Sequence, residues 1–332
     1  MRHLIASLLL LTLAGCGGSP TDPSSAGESP KVLQGQTVSV VDGVPTPSVT
    51  VQIGTQRATS DANGYFELEL DPGNHRTTVR GSSVVERDTT ISGPTAERAR
   101  VTLIPAVFDL RAFDEMFRAS NARLQRWMTR PGLVVLGTVM SYRNTAGSEY
   151  EAGSEQLSDS EVAQMIEHLT EGIGILTGGT YGSFATVEVE RPERGTKVNA
   201  LRHNKIVVGR YNGIVTFANT IGYGQWSEMA DGTIVEGAMY LDRDFDRGDP
   251  RRRLLRIHEL GHALGYQHVT SRTSIMNPAI GPDVTEFDRH GALIAFQRPI
   301  GNRAPDVDPG STPSPLSMSE GGPRRMPPVY CR

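Results

Sequence analysis

The sequence has few cysteines, little excess charge and no long apolar run. Among its 332 residues only Cys16 and Cys331 are cysteines, too few for a fold stapled by several disulfides. The formal net charge of −4 gives no reason to expect nucleic acid or another polyanion as a partner. The longest apolar run, Leu4–Leu13, is shorter than the ~20 residues that a bilayer-spanning helix needs. A chain of this length is expected to form about two domains.

The N-terminus has the pattern of an export signal. Arg2 and His3 precede the apolar run, which has the proportions of a signal-peptide core. The run ends in the letters LAGC, which resemble the lipobox of bacterial lipoproteins. That resemblance implies removal of residues 1–15, acylation of Cys16 and an extracytoplasmic protein anchored to a bacterial membrane. Gly17 stands where an aspartate often marks inner-membrane retention, which favours the outer membrane or cell surface. An ordinary secretory signal is the alternative.

The first part of the mature chain predicts a tether and a small β-domain. Residues 16–31 are rich in Gly, Ser and Pro, which indicates a flexible tether. Residues 32–105 contain short alternating strands separated by turn residues, a pattern typical of an all-β sandwich. Residues 41–75 resemble the carboxypeptidase regulatory-like domain. That resemblance implies a spacer or protein-contact module without chemistry of its own.

Residues 106–300 predict a second, α/β domain. Ser158 and Glu161 form a capping box ahead of an amphipathic stripe that ends at Gly178, which predicts a long helix. Apolar runs predict strands at 133–139, 185–190, 205–208, 213–219 and 233–241. Strand, long helix and further strands before another helix are typical of a mixed α/β arrangement.

The C-terminal segment 301–332 has no hydrophobic periodicity. Its Gly, Pro, Ser and Arg content predicts a disordered tail. Because an acylated Cys16 cannot form a disulfide, Cys331 is expected to be an unpaired and mobile thiol in this tail.

One short segment carries a recognisable chemistry. Asp249 and Pro250 are a suitable N-cap and first residue, so a helix is predicted to begin there. His258 and His262 are four residues apart on it, which puts both imidazoles on one face, one turn apart. Two ring nitrogens can then reach one zinc ion, while Glu259 is placed to contact a water on that ion.

The third ligand requires the helix to stop. Continued as helix, the six residues from His262 to His268 would rotate the ring by about 600°, away from the metal. Gly265 can adopt the left-handed conformation of a C-cap, so the chain can turn back there and bring His268 to the ion.

The stretch HELGHALGYQH, followed by Met276 in SIMNP, resembles the signature of the metzincin metallopeptidases. The resemblance covers about 108–299 and implies a twisted mixed sheet with long helices, a zinc helix and a Met-turn. In that family the methionine packs beneath the ligands without binding zinc, a role that the resemblance assigns to Met276. Pro278 stands where some subfamilies carry a ligating tyrosine, so a fourth protein ligand is not predicted.

The nearest likeness within that family is matrixin-like, with Thr285 and Asp288 capping a closing helix, although Val269 departs from the usual serine. Matrixins often carry a propeptide cysteine that blocks zinc. No cysteine lies between Cys16 and Cys331, so a zymogen of that kind is not expected. The family also binds peptides as an extra strand on the sheet's edge, expected here at 213–226.

Charged residues cluster just before the zinc motif. The acidic members could bind Ca²⁺, as acidic loops in matrixins do, but they lack the glycine and terminal glutamate of an EF-hand loop. The cluster is more typical of a solvated, self-neutralised surface, which also argues against a nucleic-acid site. Its members are Asp242, Asp244, Asp246, Asp249, Arg251, Arg252, Arg253 and Arg256.

The sequence therefore predicts a zinc-dependent endopeptidase acting on extracytoplasmic proteins or peptides. Zinc held by His258, His262 and His268 would activate a water, with Glu259 as general base. A non-catalytic surface-anchored adhesin or scaffold is the alternative from another class. A hydrolase of cell-wall peptides would keep the chemistry and change only the substrate.

Overall fold

The computed structural model describes residues 31–142, 150–215, 219–310 and 322–332. The predicted signal peptide and Cys16 lie outside the described residues. Within these ranges no helix is long and apolar enough to cross a bilayer.

The first domain consists of two small sheets around one apolar core. Three strands form a sheet in the order β4-β1-β7, and four form a second in the order β3-β2-β5-β6. The alternation predicted for this region is present, since Val49, Val51 and Ile53 are all buried between the sheets. The strands are β1 Val32–Ser39, β2 Thr50–Ile53, β3 Gln56–Thr59, β4 Tyr65–Glu69, β5 Gly73–Arg80, β6 Arg87–Gly93 and β7 Ala99–Leu103.

The second domain is mixed α/β. Its helices are α1 Leu110–Phe117, α2 Asp159–Leu176, α3 Arg243–Gly248, α4 Arg252–Ala263 and α5 Glu286–Gln297. Its strands are β8 Arg126–Trp127, β9 Gly132–Tyr142, β10 Tyr150–Gln156, β11 Val187–Glu190, β12 Lys205–Asn212, β13 Gly222–Glu228, β14 Thr233–Asp242, β15 Arg324–Arg325 and β16 Val329–Cys331.

A single sheet organises this domain. Its main path runs β10-β9-β12-β14-β13-β15, with β9, β12 and β14 parallel to one another and β13 antiparallel to β14. Helices α2 and α4 pack on one face in the larger apolar cluster. A tyrosine-rich cluster covers the other face, where the rings of Tyr223 and Tyr240 stack with centroids 4.2 Å apart. Both faces of the central strands are thus buried, as is usual for a sheet with parallel strands.

Local signals placed the helices well, with one shift. The capping box at Ser158 and Glu161 is present, and the chain after α2 has left-handed backbone at Gly178, where φ is +57°. Helix α4 begins at Arg252 rather than at Pro250. Asp249 instead ends α3 and accepts a hydrogen bond from the backbone N–H of Arg251 at 2.7 Å. The predicted N-cap at Asp249 was therefore wrong by two residues.

The strand predicted at 213–219 is absent from the described residues of that range, 213–215 and 219. Strand β12 continues to Asn212, and Gly213 then turns the chain with φ of +81°. The strand that pairs with β14 here is β13. Its glycines and polar residues do not give the alternating hydrophobic pattern by which a strand is predicted. All seven of its residues are buried, so the alternation expected of a half-exposed strand is missing.

The prediction of a disordered tail was wrong for the described residues of 301–332. Residues 322–332 form β15 and β16, both paired with β13. Residues 302–308 pack against the first domain, where the backbone N–H of Asp308 donates to the carbonyl of Asp88 at 2.8 Å. The buried Arg298 guanidinium binds both carboxylate oxygens of Asp306 at 2.7 Å and also the hydroxyl of Thr102 in β7. Polar side-chain contacts and backbone pairing hold both parts of the C-terminal segment in place. Such contacts require no hydrophobic periodicity, so the sequence pattern does not indicate them.

The charged cluster before the motif is not wholly a surface feature. Asp246 is fully buried. Its two carboxylate oxygens accept hydrogen bonds from Nε of Arg210 and Nε of Arg256, both at 2.6 Å. Arg256 is fully buried as well, and Arg210 nearly so. Two guanidiniums thus occupy the positions around Asp246 that a calcium ion would need, which argues against Ca²⁺ there. The interaction joins β12, α3 and α4 just ahead of the histidine motif.

We expect Asp246→Asn to destabilise the second domain by about 3 kcal/mol, because it leaves the buried guanidinium of Arg256 without a counter-charge and that of Arg210 with only the partly exposed Glu161. Both tryptophans of the chain, Trp127 and Trp226, are buried in this domain, so their fluorescence during urea unfolding reports on it alone. Asp244→Asn is the matched control. Its side chain is 75% exposed, so a change below about 0.5 kcal/mol is expected. Equal midpoints for the two variants would contradict a supporting role for the buried cluster.

Candidate metal centre

Helix α4 carries the first part of the site. His258, Glu259 and His262 are all fully buried on it. The helix lies close against β13 because that strand has glycine where the two elements meet. A Cβ added at Gly224 would lie 2.3 Å from the Cβ of His262, and one at Gly222 would lie 2.6 Å from a carboxylate oxygen of Glu259. The approach of helix to strand therefore needs these two glycines.

The helix ends where the sequence predicted. Gly265 has φ of +96°, and its N–H donates to the carbonyl of His262 at 2.9 Å. The N–H of Tyr266 donates to the carbonyl of Gly261, also at 2.9 Å, so the two bonds form a Schellman motif. A side chain at Gly265 would be strained and would also meet Ile234 at 2.4 Å.

The turn after Gly265 brings His268 back to the other two rings. Its ring centroid lies 5.4 Å from that of His258 and 4.8 Å from that of His262. Helix α1 fixes the loop, since the carbonyl of Met116 accepts from the N–H of Gln267 at 2.9 Å. The three histidines predicted as ligands therefore lie together.

Hydrogen bonds settle the tautomers of the two helical histidines. Nδ1 of His258 lies 2.6 Å from the carbonyl of Ile275, and Nδ1 of His262 lies 2.7 Å from that of Tyr266. A carbonyl can only accept, so both Nδ1 atoms carry hydrogen and both Nε2 atoms present lone pairs. The two Nε2 atoms are 3.0 Å apart. Two lone pairs at this distance repel unless a cation lies between them.

Burial keeps the three imidazoles neutral. Desolvation lowers the pKa of His258 to about 3 and that of His268 to about 4. It also lowers the pKa of His262 well below its ordinary value, with the neighbouring histidines adding to the effect. Neutral imidazole is the form that binds a metal.

Met276 lies under the metal-binding helix. It is fully buried, and a Cβ added at Gly261 would be only 2.5 Å from its sulfur, so the thioether packs on the helix backbone. Its carbonyl accepts from the N–H of Val269 at 2.9 Å, which ties the turn to the residue after His268. Met276 therefore packs against the backbone of the helix that carries His258 and His262.

Glu259 is fully buried, and its carboxylate oxygens have no hydrogen-bond partner among the described residues apart from the adjacent Cys331 thiol. Burial raises the pKa of this carboxyl well above its ordinary value, and the nearby Cys331 thiol opposes that rise. A fully buried carboxylate with so few partners is costly. Its position beside the imidazoles suits a group that acts on a molecule bound there.

Cys331 corrects the sequence prediction most directly. It is fully buried rather than mobile, and its Sγ lies 2.9 Å from Nε2 of His258 and 3.3 Å from Nε2 of His262. The distance to Nε2 of His268 is 3.6 Å. A fourth protein donor, which the sequence did not predict, is therefore present. The prediction that Cys331 is a mobile thiol in a disordered tail was therefore wrong.

The four side chains form a compact donor set. Their Nε2 and Sγ atoms all lie within 4.8 Å of one another, and three of the four residues are buried. The cluster could hold one metal ion, and a cation at its centre would remove the repulsion between the opposed lone pairs.

No model of a known protein family matches the chain, and no curated protein sequence matches it significantly.

Asp288 supports the site in a way that the sequence only partly indicated. It forms the predicted capping box with Thr285 at the start of α5. The same carboxylate accepts from the hydroxyl of Ser274 and from the N–H of Ile275 at 3.0 Å. Because the carbonyl of Ile275 accepts from Nδ1 of His258, Asp288 positions that ring through the backbone of one residue, Ile275. The capping pattern predicted the helix start, whereas the link to Ile275 depends on tertiary structure.

We expect Asp288→Asn to weaken metal binding by about tenfold, because it loosens the backbone of Ile275 that orients His258. Competition with a chromophoric zinc chelator measures the affinity. Glu286→Gln is the matched control. It removes a carboxylate from the same helical turn, and the Glu286 side chain is 85% exposed. Unchanged affinity in a folded Asp288→Asn protein would show that the turn is fixed by other contacts.

Proposed function

We propose that the chain is a zinc-dependent endopeptidase of the metzincin type, nearest to the matrixins. In this proposal it acts on extracytoplasmic proteins or peptides while anchored to a bacterial membrane through Cys16. The observation that carries the proposal is the convergence of three neutral imidazoles beside one fully buried glutamate. Hydrolysis at a metal needs both a ligand set and a base within reach of the bound water.

Zinc fits the donor set best. Imidazole nitrogen and thiolate sulfur are its usual ligands, and three histidines with one further position are typical of catalytic zinc. Tetrahedral donors at zinc bond lengths lie about 3.3–3.6 Å apart, close to the separations of the Cys331 sulfur from Nε2 of His262 and His268. When bound, zinc supplies Lewis acidity and lowers the pKa of a coordinated water to about 7.

Glu259 would act as general base and then as general acid. Because burial raises its pKa, its ionised form is a stronger base than an exposed glutamate. It would take a proton from the attacking water and pass that proton to the leaving amine. His258, His262 and His268 would hold the ion, with Met276 supporting the helix beneath them.

Strand β13 supplies a place for an extended substrate. It runs along α4 past Glu259 and His262, and its side away from β14 is the one that pairs with β15 and β16. A peptide added there would gain main-chain hydrogen bonds, the mode of binding known as β-augmentation. The residues of the first domain offer no comparable chemistry, which agrees with a spacer or contact role.

One observation favours a rival function. Structural zinc sites are closed by four protein ligands, and Cys331 completes such a set here. A non-catalytic surface lipoprotein, used as an adhesin or scaffold and stabilised by a metal, would have this arrangement. A fully buried glutamate beside the ligands is not needed in that reading, so we favour the peptidase.

We expect Glu259→Gln to retain about one zinc per chain while peptide hydrolysis falls by about 10²–10⁴-fold. Casein digestion and metal analysis measure the two quantities. Because the Cys331 thiol lies among the imidazoles, both the natural chain and Cys331→Ser are assayed, each with and without Glu259→Gln. Glu167→Gln on the exposed face of α2 is the control.

Peptidoglycan fragments in the same assay test the cell-wall alternative. If zinc-loaded natural chain and Cys331→Ser both fail to cleave casein and cell-wall peptides, the peptidase assignment is wrong. Hydrolysis that survives Glu259→Gln would exclude this glutamate as the base.

A further inference from the structure

The C-terminal segment 322–332 lies across the metal site as part of the sheet. Strand β16 pairs antiparallel with β13, with Cys331 opposite Gly222 and Val329 opposite Gly224. The carbonyl of Cys331 accepts from the N–H of Ile221 at 3.0 Å. The segment therefore takes the position along β13 that an added peptide strand would need.

The segment is held on its other side as well. The N–H of Arg332 donates to the carbonyl of Pro278, and its carbonyl accepts from the N–H of Ile280, both at 3.1 Å. Pro278 and Ile280 directly follow the turn of Met276. The backbone at Cys331 and Arg332 thus lies between β13 and this loop, within a cleft rather than on an open surface.

Contacts farther back along the segment fix its register. The backbone of Met326 bonds to both the carbonyl of Trp226 and the side-chain amide of Gln225 at 2.9 Å, and the Met326 side chain is buried. Arg324 pairs with the buried carboxylate of Glu228 at 2.8 Å. These anchors lie outside the metal site, so the segment does not depend on the thiol alone.

The alternation of β16 directs only the cysteine to the metal site. Cys331 is fully buried, whereas the preceding Tyr330 is 44% exposed and lies on Tyr223 with ring centroids 5.1 Å apart. Neighbouring side chains on a strand point to opposite faces. The sulfur thereby occupies the fourth corner of the donor set, the position that a catalytic site leaves to water or substrate.

Resting on the peptidase function, we propose that residues 322–332 are an intramolecular inhibitor of the same site. The segment fills the substrate cleft as a strand, and the Cys331 thiolate is the fourth ligand of the metal. Because it is part of the chain, its effective concentration is on the order of millimolar, which favours it over a dilute substrate. Displacement or removal of the segment frees the cleft and the fourth position together.

The first test needs no activity. X-ray absorption at the zinc edge of the full chain is expected to show one sulfur and three nitrogen neighbours, and Cys331→Ser is expected to show no sulfur. Alkylation of Cys331 by iodoacetamide, located by peptide mass mapping, is expected to accelerate about tenfold or more when a chelator removes the metal. The proposal is wrong if the zinc in the full chain has no sulfur neighbour. It is also wrong if the rate of Cys331 alkylation is the same with and without chelator.

The second test compares hydrolysis by three variants of the full chain. Cys331→Ser removes the ligand, and Met326→Asp places a charge in a buried anchor while leaving the thiol intact. Both are expected to cleave casein about tenfold or more faster than the natural chain, since each weakens the tethered strand. Tyr330→Phe keeps the ring on Tyr223 and the thiol, and is expected to match the natural chain.

The outcomes separate the two proposals. If sulfur binds the metal but neither Cys331→Ser nor Met326→Asp cleaves any peptide, the peptidase function fails and the site is structural. If the natural chain cleaves peptides as fast as both variants, and a chelator still stops all three, the peptidase stands and the inhibitory role is wrong.

Discussion

Two imidazoles on one helix can share an ion only if the remaining donors come from outside that helix. This constraint governs the second domain. Helix α4 must end at Gly265 so that His268 can return, and β13 must be glycine-rich so that the helix can lie against it. The turn at Met276 must hold the ring of His258, because a ring free to rotate would lose its lone-pair direction.

Buried carboxylates hold these parts together, each with donors from more than one element. Asp246 joins β12, α3 and α4, while Asp288 joins α5 to the turn at Met276. Asp306 binds Arg298 at the end of α5 and lies 4.0 Å from the guanidinium of Arg87 in β6. A buried charge of this kind adds little net stability when paired, but its loss is costly. Such groups therefore favour one arrangement of elements over others.

Features set by neighbouring residues could be predicted from the sequence. Features set by contacts between distant segments could not. The capping boxes, the ending of α4 at Gly265 and the grouping of His258, His262 and His268 follow from spacing and backbone preference, and the structure agrees with them. Strand β13 escaped notice because it is buried throughout and lacks alternation. The place of Cys331 could not be inferred, since pairing with β13 depends on main-chain groups that every residue has. The glycines at 222 and 224 were the available signal, because glycine within a strand often marks a close neighbour.

The pairing of β16 with β13 has a consequence for the order in which the molecule assembles. It joins positions more than one hundred residues apart, whereas α4 and the turn at Met276 are built from neighbouring residues. Closing so long a loop carries a high entropic cost, so contacts of this kind form late in folding. The three imidazoles can then gather an ion before the last strand arrives. In a chain that assembles in this order, the ion binds before β16 pairs with β13. Later exchange of the ion is then limited by how often β16 separates from β13.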